Sequence, residues 1–497
     1  MVEATRPPAA VPVATTGFFG HPRGLATLFF TEFWERFSYY GMRALLILFM
    51  TATAVQGGLG FSAEKAGAIY GLYTMFVYLL SVPGGWIADR LIGQRRAVLL
   101  GGIIIACGHF SLAFHGLSTF YLGLFLIIVG TGLLKPNVST MVGELYPEGG
   151  ARRDAGFSVF YMGINLGAFV APLLCGYLGQ RIEWHYGFAA AGIGMVLGLV
   201  QYLLGGKYLG SIGMTANAGD DPAQRRKATL LLAIFAAVAL AVAATMFAGV
   251  VPVTAQKLAG SAGVVVVGLA VVFFAYQFLW GGLVGDERKR MAAIAVLFVF
   301  SALFWSGFEQ AGSSLNLFAE RLTDRHIGGW EMPASWLQSV NAIFIILLAP
   351  VFSWLWLWLK ERQPSAPLKF ALGLVFLGLG FGVMVLAALR TNGGTQQVLP
   401  TWLVLTYLFH TIGELCLSPV GLSMVTKLAP HRKVGQMMGI WFMTLSLGNL
   451  LAGLVGGRFE TLPLPQLFGA VFATTAGAGL LLALFARPVH KLMSGVE

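Results

Sequence analysis

Seven ionisable side chains lie inside apolar stretches long enough to cross a membrane: Glu32, Glu35, Arg36, Arg43, Lys135, Glu309 and Glu414. A charge at the bilayer centre costs roughly 2.5 to 3.5 kcal/mol on insertion scales, so such residues face a cavity, find partners and mark an ion or substrate path. Four carboxylates stand against three cations, and one proton would neutralise the surplus. That chemistry points to proton-coupled transport. On a helix advancing about 100° per residue, Glu32, Arg36, Tyr39 and Arg43 fall within roughly 60° of arc, flanked by Glu35 and Tyr40. Such a ladder suits a wet cavity and not a lipid-facing surface. The rival reading is an internal salt-bridge network that only fixes helix packing.

Lys135 precedes Pro136, which removes a backbone hydrogen bond and loosens the helix beside the charge. Glu414 occupies the related stretch of the second half. Together they suit a ligand with opposite charges at its two ends, its carboxylate on Arg43 and Lys135 and its ammonium on Glu414. Direct Lys135 to Glu414 pairing without ligand is compatible with this if the ligand replaces the pair. Glu309, just after Phe304-Trp305, has a natural partner in Arg43, and protonating Glu309 would weaken their bridge.

These residues must be positioned by membrane helices. Hydrophobic residues make up 57% of the 497 and charged residues 11%, with mean hydropathy +0.77, which excludes an ordinary soluble domain. Fourteen apolar stretches of about 20 residues or more run from 27–50 to 466–486. They group as six, two and six. The expected organisation is a segment 1–26, a six-helix bundle 27–205, a linker with a two-helix insert 206–290, a second six-helix bundle 291–487 and a tail 488–497. Alternating the sides leaves only Lys65, Arg181, Lys257, Arg321, Arg325, Arg390 and Arg458 on one side, while most of the 32 Lys and Arg fall on the other. Short cytoplasmic loops carry the positive excess, so both termini are expected in the cytoplasm. The net charge of +11 is then explained by this asymmetry and by anionic lipid, with no nucleic-acid partner and no obligate protein partner implied.

The two halves look related. Residues 130–147 laid onto 413–430 pair Gly130 with Gly413, Leu134 with Leu417, Pro136 with Pro419 and Met141 with Met424. Repeats of this type, with the site near the bilayer midplane, recur in secondary transporters. The insert, 228–249 and 259–283, has no acidic residue and reads as lipid-facing. Cys107, Cys175 and Cys416 show no metal-ligand spacing. No Gly-Lys-Ser/Thr phosphate loop and no nucleophile-base constellation is visible, so neither an ATP-driven pump nor an enzyme is expected, and no cofactor beyond the coupling proton.

Several stretches resemble the proton-dependent oligopeptide transporter (POT) family of the major facilitator superfamily. The first-helix run Glu32-x-x-Glu35-Arg36-Phe37-x-Tyr39-Tyr40-Gly41 is one. Others are Gly84-Gly85-Trp86-Ile87-Ala88-Asp89-Arg90, Gly132-x-x-Lys135-Pro136-Asn137, Phe160-Tyr161-x-Gly163-Ile164-Asn165, and Gly413-Glu414-x-x-x-Ser418-Pro419. The resemblance implies an all-α polytopic membrane protein with two six-helix bundles around a central cavity, two inserted helices and fourteen spans. It also implies residence in a bacterial inner membrane and proton-coupled import of di- and tripeptides. Carried over residue by residue, Arg43 and Lys135 would hold the peptide carboxylate and Glu414 its amino end. Asn165 and Asn341 would bond its backbone, and Tyr39, Tyr40, Tyr78, Trp305, Trp441 and Ser418 would line the pocket. Glu32, Glu35, Arg36 and Glu309 would join in proton coupling.

Two positions depart from the family pattern. Phe308 stands where many members have the first acid of a pair, and Ala342 follows Asn341 where many have proline, which leaves a kink there open. Two other readings stay open: the same scaffold carrying another small solute such as nitrate, and a peptide sensor that binds without transport.

Overall fold

The computed structural model describes residues 17–214, 223, 226–234, 237 and 254–496. Residues 1–16 and most of the expected span 228–249 lie outside the described residues.

Apolar runs become helices because lipid offers the backbone no hydrogen-bond partner, so each spanning segment must satisfy its own N–H and C=O groups. In chain order the helices are α1 (Arg23–Thr51), α2 (Ala63–Leu79), α3 (Ser81–Ile87), α4 (Gln94–Leu112), α5 (Leu117–Glu144), α6 (Gly150–Tyr177) and α7 (Trp184–Gly205). Beyond the insert's first half come α8 (Ala255–Trp280), α9 (Glu287–Phe308), α10 (Ser314–Leu322), α11 (Ser339–Leu359) and α12 (Ala366–Arg390). The chain closes with α13 (Thr401–Leu428), α14 (Val434–Gly456), α15 (Leu464–Leu484) and α16 (Ala486–Leu492). The one sheet among the described residues is a hairpin, with His326–Ile327 antiparallel to Trp330–Glu331. Twelve described helical segments are long and apolar enough to cross a membrane. The 29-residue α1 is not among them, because its middle carries Glu32, Glu35, Arg36 and Arg43.

The chain divides into two compact units. One comprises the described residues of Met1–Tyr40, Leu80–Ala171 and Phe188–Pro252, and the other those of Gly41–Leu79, Pro172–Gly187 and Val253–Glu497. In the first unit, Leu25, Leu28, Ile105, Leu134, Met141, Phe160 and Met195 form a buried core. Helices α4 and α5 meet there glycine to glycine: a Cβ on Gly101 would lie 2.6 Å from the Gly130 carbonyl, and one on Gly130 2.6 Å from that of Gly101. Leu134 completes the contact, 3.0 Å from the same point on Gly101.

The second unit repeats this device with the residues that the sequence repeat pairs. A Cβ on Gly373 of α12 would stand 2.9 Å from the Gly413 carbonyl and 2.9 Å from Leu417 Cβ, and Gly413 returns the approach to the Gly373 carbonyl at 2.6 Å. Backbone contact of this closeness needs a residue without a side chain. Elsewhere in this unit Gly67 and Gly71 of α2 face Gly453 of α14, and Ala259 and Val266 of α8 pack on Leu72, Met75 and Leu450. The opposite face of α8 exposes Val264, Val265, Val271 and Val272, as expected of a helix against lipid. Helix α11 runs unbroken through Asn341 and Ala342, and its internal proline is Pro350. Phe308 stacks on Phe304 with centroids 5.6 Å apart and meets Trp305 edge-on, so this position serves an aromatic cluster.

Candidate functional site

The first unit holds the acidic end of the α1 ladder. Glu32, Glu35 and Arg36 are each at most 2% exposed. Arg36 forks onto Glu35 through Nε and Nη2 and reaches Glu32 Oε1 at 3.5 Å, while its guanidinium lies 4.7 Å from the Tyr39 ring centroid. Two buried carboxylates thus share one cation. Glu32 Oε2 is buried with no hydrogen-bond partner among the described residues. A buried acceptor of that kind is costly unless a proton or water meets it. Helix α6 comes close enough to shield the triad from lipid because Gly167 faces the Phe33 carbonyl at 2.6 Å and Arg36 Cβ at 3.0 Å, distances measured to an added Cβ.

Lys135 is partly buried on α5. Its helix is fixed by the Gly84-Gly85 motif: Gly84 of α3 meets the Gly132 carbonyl and Gly85 packs near Pro136. The motif and the lysine, separate in the sequence, are therefore one packing arrangement. Asn165 on α6 is buried, and its amide donates to the Tyr161 carbonyl one turn earlier at 3.0 Å. Tyr40 lies 5.2 Å from Tyr39, ring to ring.

The second unit holds Arg43, Tyr78, Trp305, Glu309, Asn341, Glu414, Ser418 and Trp441. Arg43 Nη2 lies 2.5 Å from Glu309 Oε2, and both side chains are buried. Arg43 Nε donates to Tyr70 Oη at 2.6 Å. Glu309 caps α9 and begins a tight turn, Glu309–Gly312, before α10. That turn is pinned by Ser314 Oγ donating to Gln310 Oε1 at 2.7 Å and Ser313 Oγ to the Ala452 carbonyl at 3.0 Å. Asn316 of α10 donates to the Ala44 carbonyl at 2.9 Å, fixing α1 one residue beyond Arg43.

Glu414 is partly buried on α13. Asn341 Nδ2 donates to Thr411 Oγ1 at 2.9 Å and reaches Glu414 Oε2 at 3.4 Å, so the asparagine and the acid meet across α11 and α13. Trp305 and Trp441 are buried, Trp305 over Gly448 and Trp441 over Gly421, while Ser418 is partly buried and Tyr78 buried on α2. Three residues of this arrangement escape a reading of charge alone: Tyr70, Gly312 and Thr411. Thr411 lies one turn before Glu414, which is a usable signal. Gly312 lies three residues after Glu309, and an added Cβ there would run into the Tyr70 hydroxyl and lie 2.9 Å from Arg43 Nε.

A sequence model of the POT family matches residues 95–465. The chain belongs to that family. It is similar to the peptide transporter YePEPT of Yersinia enterocolitica, 44% identical over 494 residues and 97% of each chain. Another relative is the di-/tripeptide transporter of Lactococcus lactis subsp. cremoris, 38% identical over 97% of this chain and 98% of that one. Among solved structures, a mutant of peptide transporter POT in complex with alafosfalin superposes with a TM-score of 0.90 at 43% identity, covering 97% of this chain and 98% of that one. The POT resemblance read from the helix motifs thus holds, with relatives matched over 97% of this chain, and these relatives are transporters, not enzymes.

Proposed function

We propose that this POT family member is a symporter that imports di- and tripeptides with protons by alternating access. Relatives named as peptide and di-/tripeptide transporters support the cargo. One observation carries the coupling: the guanidinium of Arg43, which is proposed to receive the peptide carboxylate, is engaged by the carboxylate of Glu309. A peptide carboxylate arriving at Arg43 competes with Glu309, and a Glu309 released from its cation in a buried place takes up a proton. Substrate and proton are then linked through one arginine.

Lys135 shares the peptide carboxylate, Glu414 takes the ammonium, and Asn341 and Asn165 bond the peptide backbone. Tyr39, Tyr40, Tyr78, Trp305, Trp441 and Ser418 line the pocket, and the Glu32, Glu35 and Arg36 triad carries the proton further. The coupling ion is the proton and no other cofactor takes part. The chain has fourteen spans, counting α1 and both inserted helices, in a bacterial inner membrane with both termini cytoplasmic. The charge bias between loops supports that orientation.

The test is radiolabelled dipeptide uptake into proteoliposomes with and without an imposed inward proton gradient. Uphill accumulation that collapses with a protonophore is expected. Binding without accumulation overturns transport in favour of a sensor, and uptake indifferent to the gradient overturns coupling.

A further inference from the structure

We propose that a cavity beside the first turn of α1 binds one anionic phospholipid, its phosphate between Arg23 and Lys207 and an acyl chain along the outer face of α7. The cavity, about 660 Å³, lies wholly within the first unit and is walled by the start of α1 and the end of α7. Arg23 and Lys207 stand on either segment and share the Tyr208 ring, with their charges 5.8 and 5.1 Å from its centroid. Both are exposed, and among the described residues neither pairs with a carboxylate.

The turn that presents Lys207 and Tyr208 is built to hold its shape. Arg95 donates to the carbonyls of Gly206 at 3.1 Å and Gly210 at 2.7 Å, and Leu209 is buried in the core. Gly24 lets the turn press on α1, since a Cβ there would meet the Tyr208 carbonyl at 3.0 Å. The backbone of this turn is thus fixed, and two cations lie within 6 Å of one ring with no carboxylate partner among the described residues, which favours an anionic ligand.

The remaining wall selects a lipid over a soluble anion. Leu197, Val200 and Leu204 lie on one face of α7 and are 47%, 49% and 71% exposed. Between them Gln201 is already satisfied internally, donating to the Thr27 carbonyl at 3.2 Å and accepting from Thr31 Oγ1 at 3.4 Å. Because α1 begins at Arg23 and α7 ends at Gly205, the cations stand at the ends of two spans, where headgroups lie, and the apolar face runs inward from them. Basic pockets between helix ends are the sites where membrane proteins hold anionic headgroups.

Native mass spectrometry of the full-length protein, titrated with phosphatidylglycerol or phosphatidylethanolamine of the same chains, tests this. Phosphatidylglycerol should bind preferentially, and R23Q/K207Q should weaken that binding by about tenfold or more. R487Q/K491Q, which also removes two exposed cations, should stay within about twofold. L204Q should weaken long-chain phosphatidylglycerol while leaving its dihexanoyl analogue unaffected. The proposal is overturned if R23Q/K207Q binds like wild type, if both headgroups are lost equally, or if glycerol phosphate displaces the lipid as well as the dihexanoyl analogue does. The last outcome would mark a soluble-anion site. Unchanged thermal unfolding of R23Q/K207Q excludes loss of fold as the cause.

Discussion

Glu309 Oε2 sits 2.5 Å from Arg43 Nη2, joining the turn after α9 to the second half of α1. Both partners are buried, so neither charge has water to fall back on. Removing one partner of such a pair leaves an uncompensated charge, typically at about 3 to 5 kcal/mol, whereas glutamine keeps an oxygen that can accept from Arg43 but carries no charge. Glu309→Gln therefore preserves the shape while removing the proton site. Uphill, gradient-driven dipeptide accumulation by this variant should fall to background while counterflow exchange stays within about tenfold of wild type. Both are read in proteoliposomes, and full pH-dependent accumulation by Glu309→Gln would take this residue out of coupling.

The pair is held in register by a glycine. No side chain fits at Gly312 without displacing the Tyr70 hydroxyl that accepts from Arg43 Nε. Gly312→Ala should destabilise the protein by about 1 to 3 kcal/mol, the usual range for overpacking. The atom in the way is a hydroxyl oxygen, so Tyr70→Phe in the same chain should recover part of that loss. Thermal unfolding of the two single variants and the double variant forms a cycle. Simple additivity would refute the proposed clash.

What the sequence makes legible here follows from rarity. A charge inside an apolar run is unusual enough that Glu309 and Arg43 can be matched by residue type and position alone. Tyr70 and Gly312 carry no such mark, because hydroxyls and glycines are common in packed membrane helices and only their distance to Arg43 gives them a role. The repeat is legible for a related reason: Gly130 and Gly413, with Leu134 and Leu417, recur because each pair makes the same backbone contact with its neighbour helix. The Gly84-Gly85 motif is legible only as a motif. Its physical content, the seating of α5 beside Lys135, needs the third dimension. Likewise α1 can be read as a helix by length, yet the charges that make it informative also remove it from a count of apolar spans.

Glu460, between α14 and α15, offers a test outside the membrane helices. It accepts from the Ala63 N–H at the start of α2 at 2.9 Å and from Arg321 Nη1 at 2.7 Å. Partial burial works against its charge, but the Ala63 amide and Arg321 prevail and hold the carboxyl below its ordinary range. A depressed folded-state pKa stabilises above the unfolded value of about 4.3 and is lost as pH falls through the folded value. The groups are partly exposed, so Glu460→Gln should cost only about 0.5 to 1 kcal/mol at pH 7. Its deficit against wild type in thermal unfolding should shrink as the pH is lowered from 5 toward 3. A deficit that grows on acidification has the wrong sign for this clamp.

Asn341 and Thr411 bear on what Glu414 is for. Asn341 Nδ2 is 3.4 Å from Glu414 Oε2 but 2.9 Å from Thr411 Oγ1, so the amide favours the threonine and only grazes the acid. A neutral amide is a weak partner for a carboxylate in a partly buried place, and a ligand ammonium would be a much stronger one. Glu414→Gln should therefore weaken binding of a free dipeptide by about ten to a hundredfold, the range of one charge-assisted hydrogen bond. It should weaken the N-acetylated dipeptide, which has no ammonium, by no more than about threefold. Competition against a radiolabelled dipeptide measures both. Equal losses for the two ligands would mean that Glu414 serves the packing of α11 and α13 and not the amino end of the peptide.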